Sequence, residues 1–313
     1  MSAGLSRYIA TRLGRALLTV IGVITLVFIL VRVSPGDPVD AILGDQASAE
    51  ERAAKRTQLH LDQALPMQFL HFLGDVGDGS LGRSYTRPDE SVSSLIGEVL
   101  PSTLLLGLFA ILVAWAIAIP LGSIAAVKRG SFWDGTARGF ALFGIAVPAI
   151  WLGPLLVLFF GVKLKWLPLP GDEDVGIEGL ILPALTVGAA LAAILMRQTR
   201  AAMMEVLSEQ YVLAARARGV AGWKVVLVHA LRNAMLPVMT VGAAQLAGVF
   251  SGAVIAEKVF ERQGLGTLFL DAYFARDIPV VQGAVLVVAI TYVLVNLVVE
   301  LIYGVVDPRV RVA

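Results

Sequence analysis

The sequence predicts an all-α integral membrane protein with six transmembrane helices, and three observations carry that expectation. The chain of 313 residues is 57% hydrophobic and 16% charged, whereas a soluble domain is about 45–50% apolar and about 25% charged. A helix crossing about 30 Å of hydrocarbon needs roughly 17–25 mostly apolar residues. Six stretches free of Asp, Glu, Lys and Arg meet or approach that length: residues 16–31, 99–127, 139–162, 179–196, 233–256 and 278–299. The connections between them alternate in charge. The first, third, fifth and last hold 14 Lys and Arg with four acids, and the other three hold 11 with 19 acids. Because Lys and Arg near span ends set orientation, the Arg-dense set is expected in the cytoplasm, with both termini.

Residues 16–31 are short for a bilayer, and Arg15 and Arg32 extend the span by carrying their charged heads to the interfaces. The basic flank resembles a secretory signal. However, Ser34-Pro35-Gly36-Asp37 follows without a small-x-small cleavage pattern, so the span reads as retained. Residues 1–33 are therefore the tail and first span, and 34–98 an extracytoplasmic segment. Its Ala- and charge-rich stretch 47–59 reads as short surface helices. A core over 99–304 has helices near 101–127, 139–162, 179–196, 234–256 and 279–303, a cytoplasmic segment over 198–233, and a tail at 305–313. Pro120, Pro148, Pro154 and Pro183 are either breaks lining a wet cavity or ordinary helix curvature. Gly242, Ala243, Ala244, Ala247, Gly248, Ser251 and Gly252 suit close helix packing in the fifth span.

Several chemistries are missing from the sequence. No Gly-Lys pair occurs, hence no Walker A loop, and ATP hydrolysis would need another chain. There is no cysteine, and His60, His71 and His229 lie in no metal-ligand spacing. Neither a metal site nor a catalytic residue is expected, and no nucleic-acid partner. Gly77-Asp-Gly79-Ser-Leu-Gly82 fits a dinucleotide pattern that works only between a strand and a helix, and reads here as turn glycines. In the last span Asn296 and Glu300 share a helix face. They mark either a polar translocation path or the inner interface, which nearby Asp307 favours.

The most informative segment follows the fourth span. Residues 203–218 read as one amphipathic helix with Leu207, Tyr211 and Ala214 on a face, Arg216 and Arg218 in the last turn and Gly219 closing it. Residues 223–231 read as a second short helix, and Leu236-Pro237 as the opening of the fifth span. Two such helices can lie on headgroups or dock into a partner's groove.

Tyr211-Val-Leu-Ala-Ala-Arg-Ala-Arg-Gly219, His229-Ala-Leu-Arg-Asn233 and Leu236-Pro237 resemble the EAA loop of binding-protein-dependent ABC importer permeases, in the dipeptide/oligopeptide/nickel branch. The resemblance extends to Pro35-Gly36-Asp37-Pro38, Gly82-Arg-Ser84, Pro101-Ser-Thr103, Glu257 to Phe260, Gly264-Leu-Gly266, Arg276-Asp277 with Pro279, Gln282-Gly283 and Asp307-Pro-Arg-Val-Arg311. Leu213 stands where the wider superfamily has the Glu of EAA, and Gln263 where a Pro is usual. The resemblance implies a type I ABC importer permease fold in the bacterial inner membrane, taking up di- or oligopeptides, or alternatively nickel or another small solute. It implies as partners a second homologous permease, two ATP-binding subunits that use ATP and Mg, and an extracytoplasmic binding protein, with membrane lipid around. It assigns ATPase coupling to Tyr211, Ala214, Ala215, Arg216, Gly219, Arg232, Asn233 and Pro237. Outer gating or binding-protein docking falls to Pro35, Gly36, Asp37, Gly264, Gly266, Arg276 and Asp277. No cofactor would be bound by this chain itself. An ion-coupled secondary transporter is the reading from a different class, and it would place ion ligands near the midplane, whereas the one candidate, Glu300, is peripheral.

Overall fold

The computed structural model describes residues 3–33, 36–44, 47–172 and 176–306. Among them the structure is helical throughout apart from turns and one isolated antiparallel bridge between Arg83 and Ser91. Five helices are long and apolar enough to cross a membrane, or six when one bent pair counts as a span. The chain divides into two compact units, residues 1–102 with 263–313, and residues 103–262.

In the first unit, α1 (Ala3–Val33) packs along α13 (Ile278–Val306). Its outward face leaves Leu17, Leu18 and Val33 exposed, the dressing expected of a helix in lipid rather than water. Ile24 and Phe28 turn inward against Phe72 and Leu286. Three short helices follow α1: α2 (Pro38–Leu43), α3 (Ala49–Gln58) and α4 (Leu65–Gly77). Ser48 starts α3 with a reciprocal capping box. Its hydroxyl accepts from the Glu51 N–H at 3.2 Å, and its own N–H donates to the Glu51 carboxylate at 2.8 Å. This bond holds the Glu51 carboxyl below its usual range. Gly79 and Gly82 have positive φ in the turn that follows α4, so the glycine pattern read as a turn belongs to one. A second cluster joins Val92, Leu95 and Ile96 to α12 (Leu265–Phe274) and the start of α13.

The unit boundary falls inside α5 (Val92–Val127), a 36-residue helix roughly 54 Å long, well beyond the hydrocarbon thickness. In the second unit α8 (Ile177–Leu207) is the central element, packed by α6 (Phe132–Ala146), α7 (Ala149–Lys163), α10 (Gly222–Ala244) and α11 (Leu246–Val259). Backbones approach closely there: a Cβ on Gly188 would lie 2.8 Å from the Ala110 carbonyl oxygen. Of the small residues expected to pack the fifth span, Gly242 faces the Trp115 ring and Gly252 faces Val187.

Several helix bounds differ from those read in the sequence, with α5 starting at Val92 and not near 101, and α8 running on to Leu207 and not ending near 196. The third stretch is not one rod over 139–162. It is α6 and α7, bent by 108°. Val147 is extended and Pro148 caps α7, because a residue before proline is driven out of the helical region. Pro120, Pro154 and Pro183, by contrast, lie inside continuous helix. The helix read over 203–218 is divided: α8 ends at Leu207, and α9 (Gln210–Ala217) begins after an extended Glu209. The Ser208 hydroxyl there donates to the Glu205 carbonyl at 2.7 Å, tying off the chain end of α8. The fifth span does not open at Leu236-Pro237, since helix runs unbroken from Gly222 and Pro237 sits within it. A wide turn over 225–230 lies in the same helix, well before Pro237. That span then breaks at Gln245 instead of reaching 256.

Candidate functional site

Helix α9 is only eight residues long and is held at both ends. At its C-terminus Gly219 adopts φ +76°. Its N–H donates to the Arg216 carbonyl at 3.0 Å, and the Val220 N–H donates to the Ala215 carbonyl at 3.2 Å. This pair of bonds is a Schellman motif, and it needs a left-handed residue at position 219. Toward the N-terminus the Tyr211 hydroxyl accepts from Asn233 Nδ2 at 2.6 Å, and Asn233 Nδ2 also donates to the His229 carbonyl at 3.2 Å. Tyr211 and Asn233 therefore meet across 22 residues and fasten α9 to α10. Val212 is buried beneath, whereas Tyr211, Leu213, Ala214, Arg216 and Gly219 are exposed, with Ala215 half-buried. Arg232, Asn233 and Pro237 are exposed on α10. The result is a rigid peg with a free small-residue face.

The second unit also holds a brace that sequence reasoning treated only as counted charges. Asp134, at the first turn of α6 and 1% exposed, accepts from Arg200 on α8 through Nε at 2.7 Å and Nη2 at 3.0 Å. It also accepts from the Gly130 N–H at 3.0 Å. Such a fork-shaped pair fixes geometry as well as charge. It ties the base of α6 to the part of α8 that leads into α9.

In the first unit the residues to which the resemblance assigns outer gating converge unevenly. Asp277 is 1% exposed. It accepts from Ser84 Oγ at 2.5 Å, from the Tyr85 N–H at 3.1 Å, and from Thr86 through N at 3.2 Å and Oγ1 at 2.8 Å. Two of the sequence motifs, near 82–84 and 276–279, thus close on one carboxylate. Gly36 has φ +113°, and a Cβ there would lie 2.7 Å from the Arg276 guanidinium carbon, so only glycine lets that side chain pass. Asp37 caps α2, accepting from the Val39 N–H at 2.9 Å, and pairs with Arg56. Gly264 precedes α12, its N–H donating to Thr267 Oγ1 at 2.9 Å, and Gly266 is buried within that helix. Both lie at the opposite end of α12 from Arg276, roughly 15 Å along the axis. Pro35 and the 307–311 motif lie outside the described residues. Asn296 is half-buried on α13, and Glu300 lies one turn beyond it on the same helix.

A further motif pair meets in the second unit, where Thr103 Oγ1 donates to Glu257 Oε1 at 2.5 Å and Glu257 is 1% exposed. Arg262 lies near Glu257, and burial lowers its pKa while the carboxylate opposes that shift. Glu257 carried a signal in the sequence as the first residue of the 257–260 motif, whereas Asp134 showed only as an acid at a span end. Their partners lie 66 and 154 residues away, and no local pattern names them.

The chain was compared with known proteins. The family described as "Binding-protein-dependent transport system inner membrane component" matches residues 118–312, and its N-terminal counterpart matches residues 5–107. The chain belongs to this permease family. Among its relatives is the dipeptide transport system permease protein DppB of Escherichia coli strain K12, 40% identical, with 97% of this chain and 98% of the relative covered. The glutathione transport system permease protein GsiC of Escherichia coli O6:H1 is also 40% identical, over 97% and 98%. A chain of the MetNI methionine ABC transporter in an inward-facing crystal form shares the fold. Its TM-score is 0.57 at 17% identity, covering 68% of this chain and 96% of that one. The permease is therefore a multi-pass inner-membrane protein of the type I ABC importer fold, as its apolar helices require.

Proposed function

We propose that this permease takes up di- or oligopeptides delivered by an extracytoplasmic binding protein. The energy comes from ATP and Mg used by two partner ATPases, and a second homologous permease completes the path. The observation that carries the reading is the 40% identity to a dipeptide permease over nearly the whole of both chains. Both termini and residues 198–233 face the cytoplasm in this scheme, consistent with the Arg-rich inner connections. The exposed face of α9 is what the ATPases grip, through Ala214, Ala215, Arg216 and Gly219, while Tyr211 and Asn233 carry the push into α10. A motion passed on in this way biases the helix bundle only if ATPase contacts differ between its inward and outward states. Gly36, Asp37, Arg276 and Asp277 stiffen the outer segment for the binding protein. Nickel transport gains no support from the described residues, which hold no group of three metal-ligand side chains.

The test is reconstitution of the permease with its partners in proteoliposomes and measurement of labelled dipeptide uptake. Uptake is expected only with ATP and the binding protein present. Uptake that persists with ATPase subunits unable to hydrolyse ATP would favour an ion-coupled carrier and defeat the proposal.

A further inference from the structure

Within the first unit a cavity of about 330 Å³ opens between the end of α1, α3, α4, the turn after α4 and the start of α13. Two buried donors in its wall, Arg32 Nη1 and Gln282 Nε2, have no hydrogen-bond partner among the described residues. Gln282 is only 3% exposed. Arg32 is held in place: its Nε donates to Gln68 Oε1 at 3.0 Å and its guanidinium lies 4.3 Å over the Phe28 ring. Gln68 is in turn anchored by a 2.9 Å bond to the Gln63 carbonyl.

The charge of the wall selects the ligand. Arg32, Lys55 and Arg83 face a single carboxylate, Asp75, whose pKa is raised first by burial and then by Asp78. The Tyr85 phenol, pushed up to about 12 mainly by burial, stays neutral. Two idle donors and a cationic excess call for a group that only accepts hydrogen bonds and carries negative charge, which a carboxylate does. Small-molecule pockets span about 300–1,000 Å³, and this volume falls at the low end, suited to a short peptide rather than a protein segment. The stacked rings of His60 and His71, 5.1 Å apart, and Phe72 offer a flat wall for a terminal side chain. His60 and Leu81 hold left-handed backbone at the rim without being glycine, a strain found where surrounding structure fixes a site.

We propose that this cavity is a carboxylate subsite that receives the C-terminus of a short peptide at the outer segment of the permease. The proposal rests on the peptide-importer reading given above. The experiment uses the assembled transporter in lipid nanodiscs without binding protein, titrated calorimetrically with Ala-Ala and with Ala-Ala amide. The free acid is expected to bind at least tenfold more tightly than the amide. Arg32→Gln and Gln282→Leu should each weaken acid binding at least tenfold, and Arg32→Lys should weaken it less than Arg32→Gln. Thermal unfolding of each variant serves as the folding control. Equal binding of acid and amide to the unaltered transporter would overturn the proposal without recourse to any variant. So would an Arg32→Gln variant that binds like the parent. Weakened docking of the binding protein with peptide binding unchanged would give the cavity to a carboxylate of that protein and equally overturn it. If ATP-driven dipeptide uptake by the unaltered transporter stands while these effects are missing, the subsite fails and the importer reading survives. If uptake itself is missing, the importer reading fails.

Discussion

Replacing Asp277 by alanine removes the acceptor that holds the turn over 84–86 to the start of α13. Four donors lose their partner, but not equally. The Ser84 hydroxyl can turn to donate to Thr86 Oγ1 at 3.2 Å, and the Thr86 hydroxyl can rotate. The Tyr85 and Thr86 amides cannot re-aim, and each stranded buried donor costs about 1–3 kcal/mol. With water entering one side, the local loss is about 2–4 kcal/mol, which raises the open population of the turn roughly 30- to 1,000-fold. Hydrogen exchange resolves this, since protection of the Tyr85 and Thr86 amides should fall by that factor while α8 keeps its own. Trypsin should cut faster at the exposed Arg83, because cleavage follows the open population when reclosing is fast. Asp277→Asn retains one acceptor oxygen and should fall between parent and alanine. Unchanged exchange in Asp277→Ala would refute the idea that this carboxylate holds the turn.

Three more perturbations follow from the geometry. Gly219→Asp places a side chain at φ +76° with no atom within 4 Å, so the cost is about 1–2 kcal/mol of left-handed strain and the fold survives. Dipeptide uptake should drop at least tenfold while ATP hydrolysis continues, and normal uptake would count against docking at α9. Gly283→Ala sets a Cβ 2.4 Å from Val92 Cγ1, a fully buried neighbour, and overpacking of that kind costs about 1–3 kcal/mol, read as a lowered thermal midpoint. The capping bond of Glu51 depresses its pKa in the fold, so its contribution to α3 is complete above the ordinary value of about 4.3 and is lost as pH falls through the lower folded value. Ser48→Ala removes the hydroxyl but keeps the N–H that donates to the carboxylate, so the Glu51 titration, followed by NMR, should move only part of the way back to that ordinary value.

The sequence alone determined which stretches enter the membrane, because the cost of a charge in hydrocarbon leaves its mark on every window of twenty residues. It also determined where α9 ends, since a left-handed position after a basic last turn favours glycine, and Gly219 is there. Continuity of the rods was decided elsewhere. Val147-Pro148 bends sharply, whereas Pro237 lies inside unbroken helix, and the residue type is the same in both. Proline permits either outcome, and which one occurs at a given position depends on how the surrounding helices pack. Pairings such as Asp277 with Ser84 to Thr86, Asp134 with Arg200, and Arg32 with Gln282 around one cavity belong to tertiary structure for the same reason. A hydrogen bond acts over about 3 Å, and only folding brings residues so far apart in the chain within that reach.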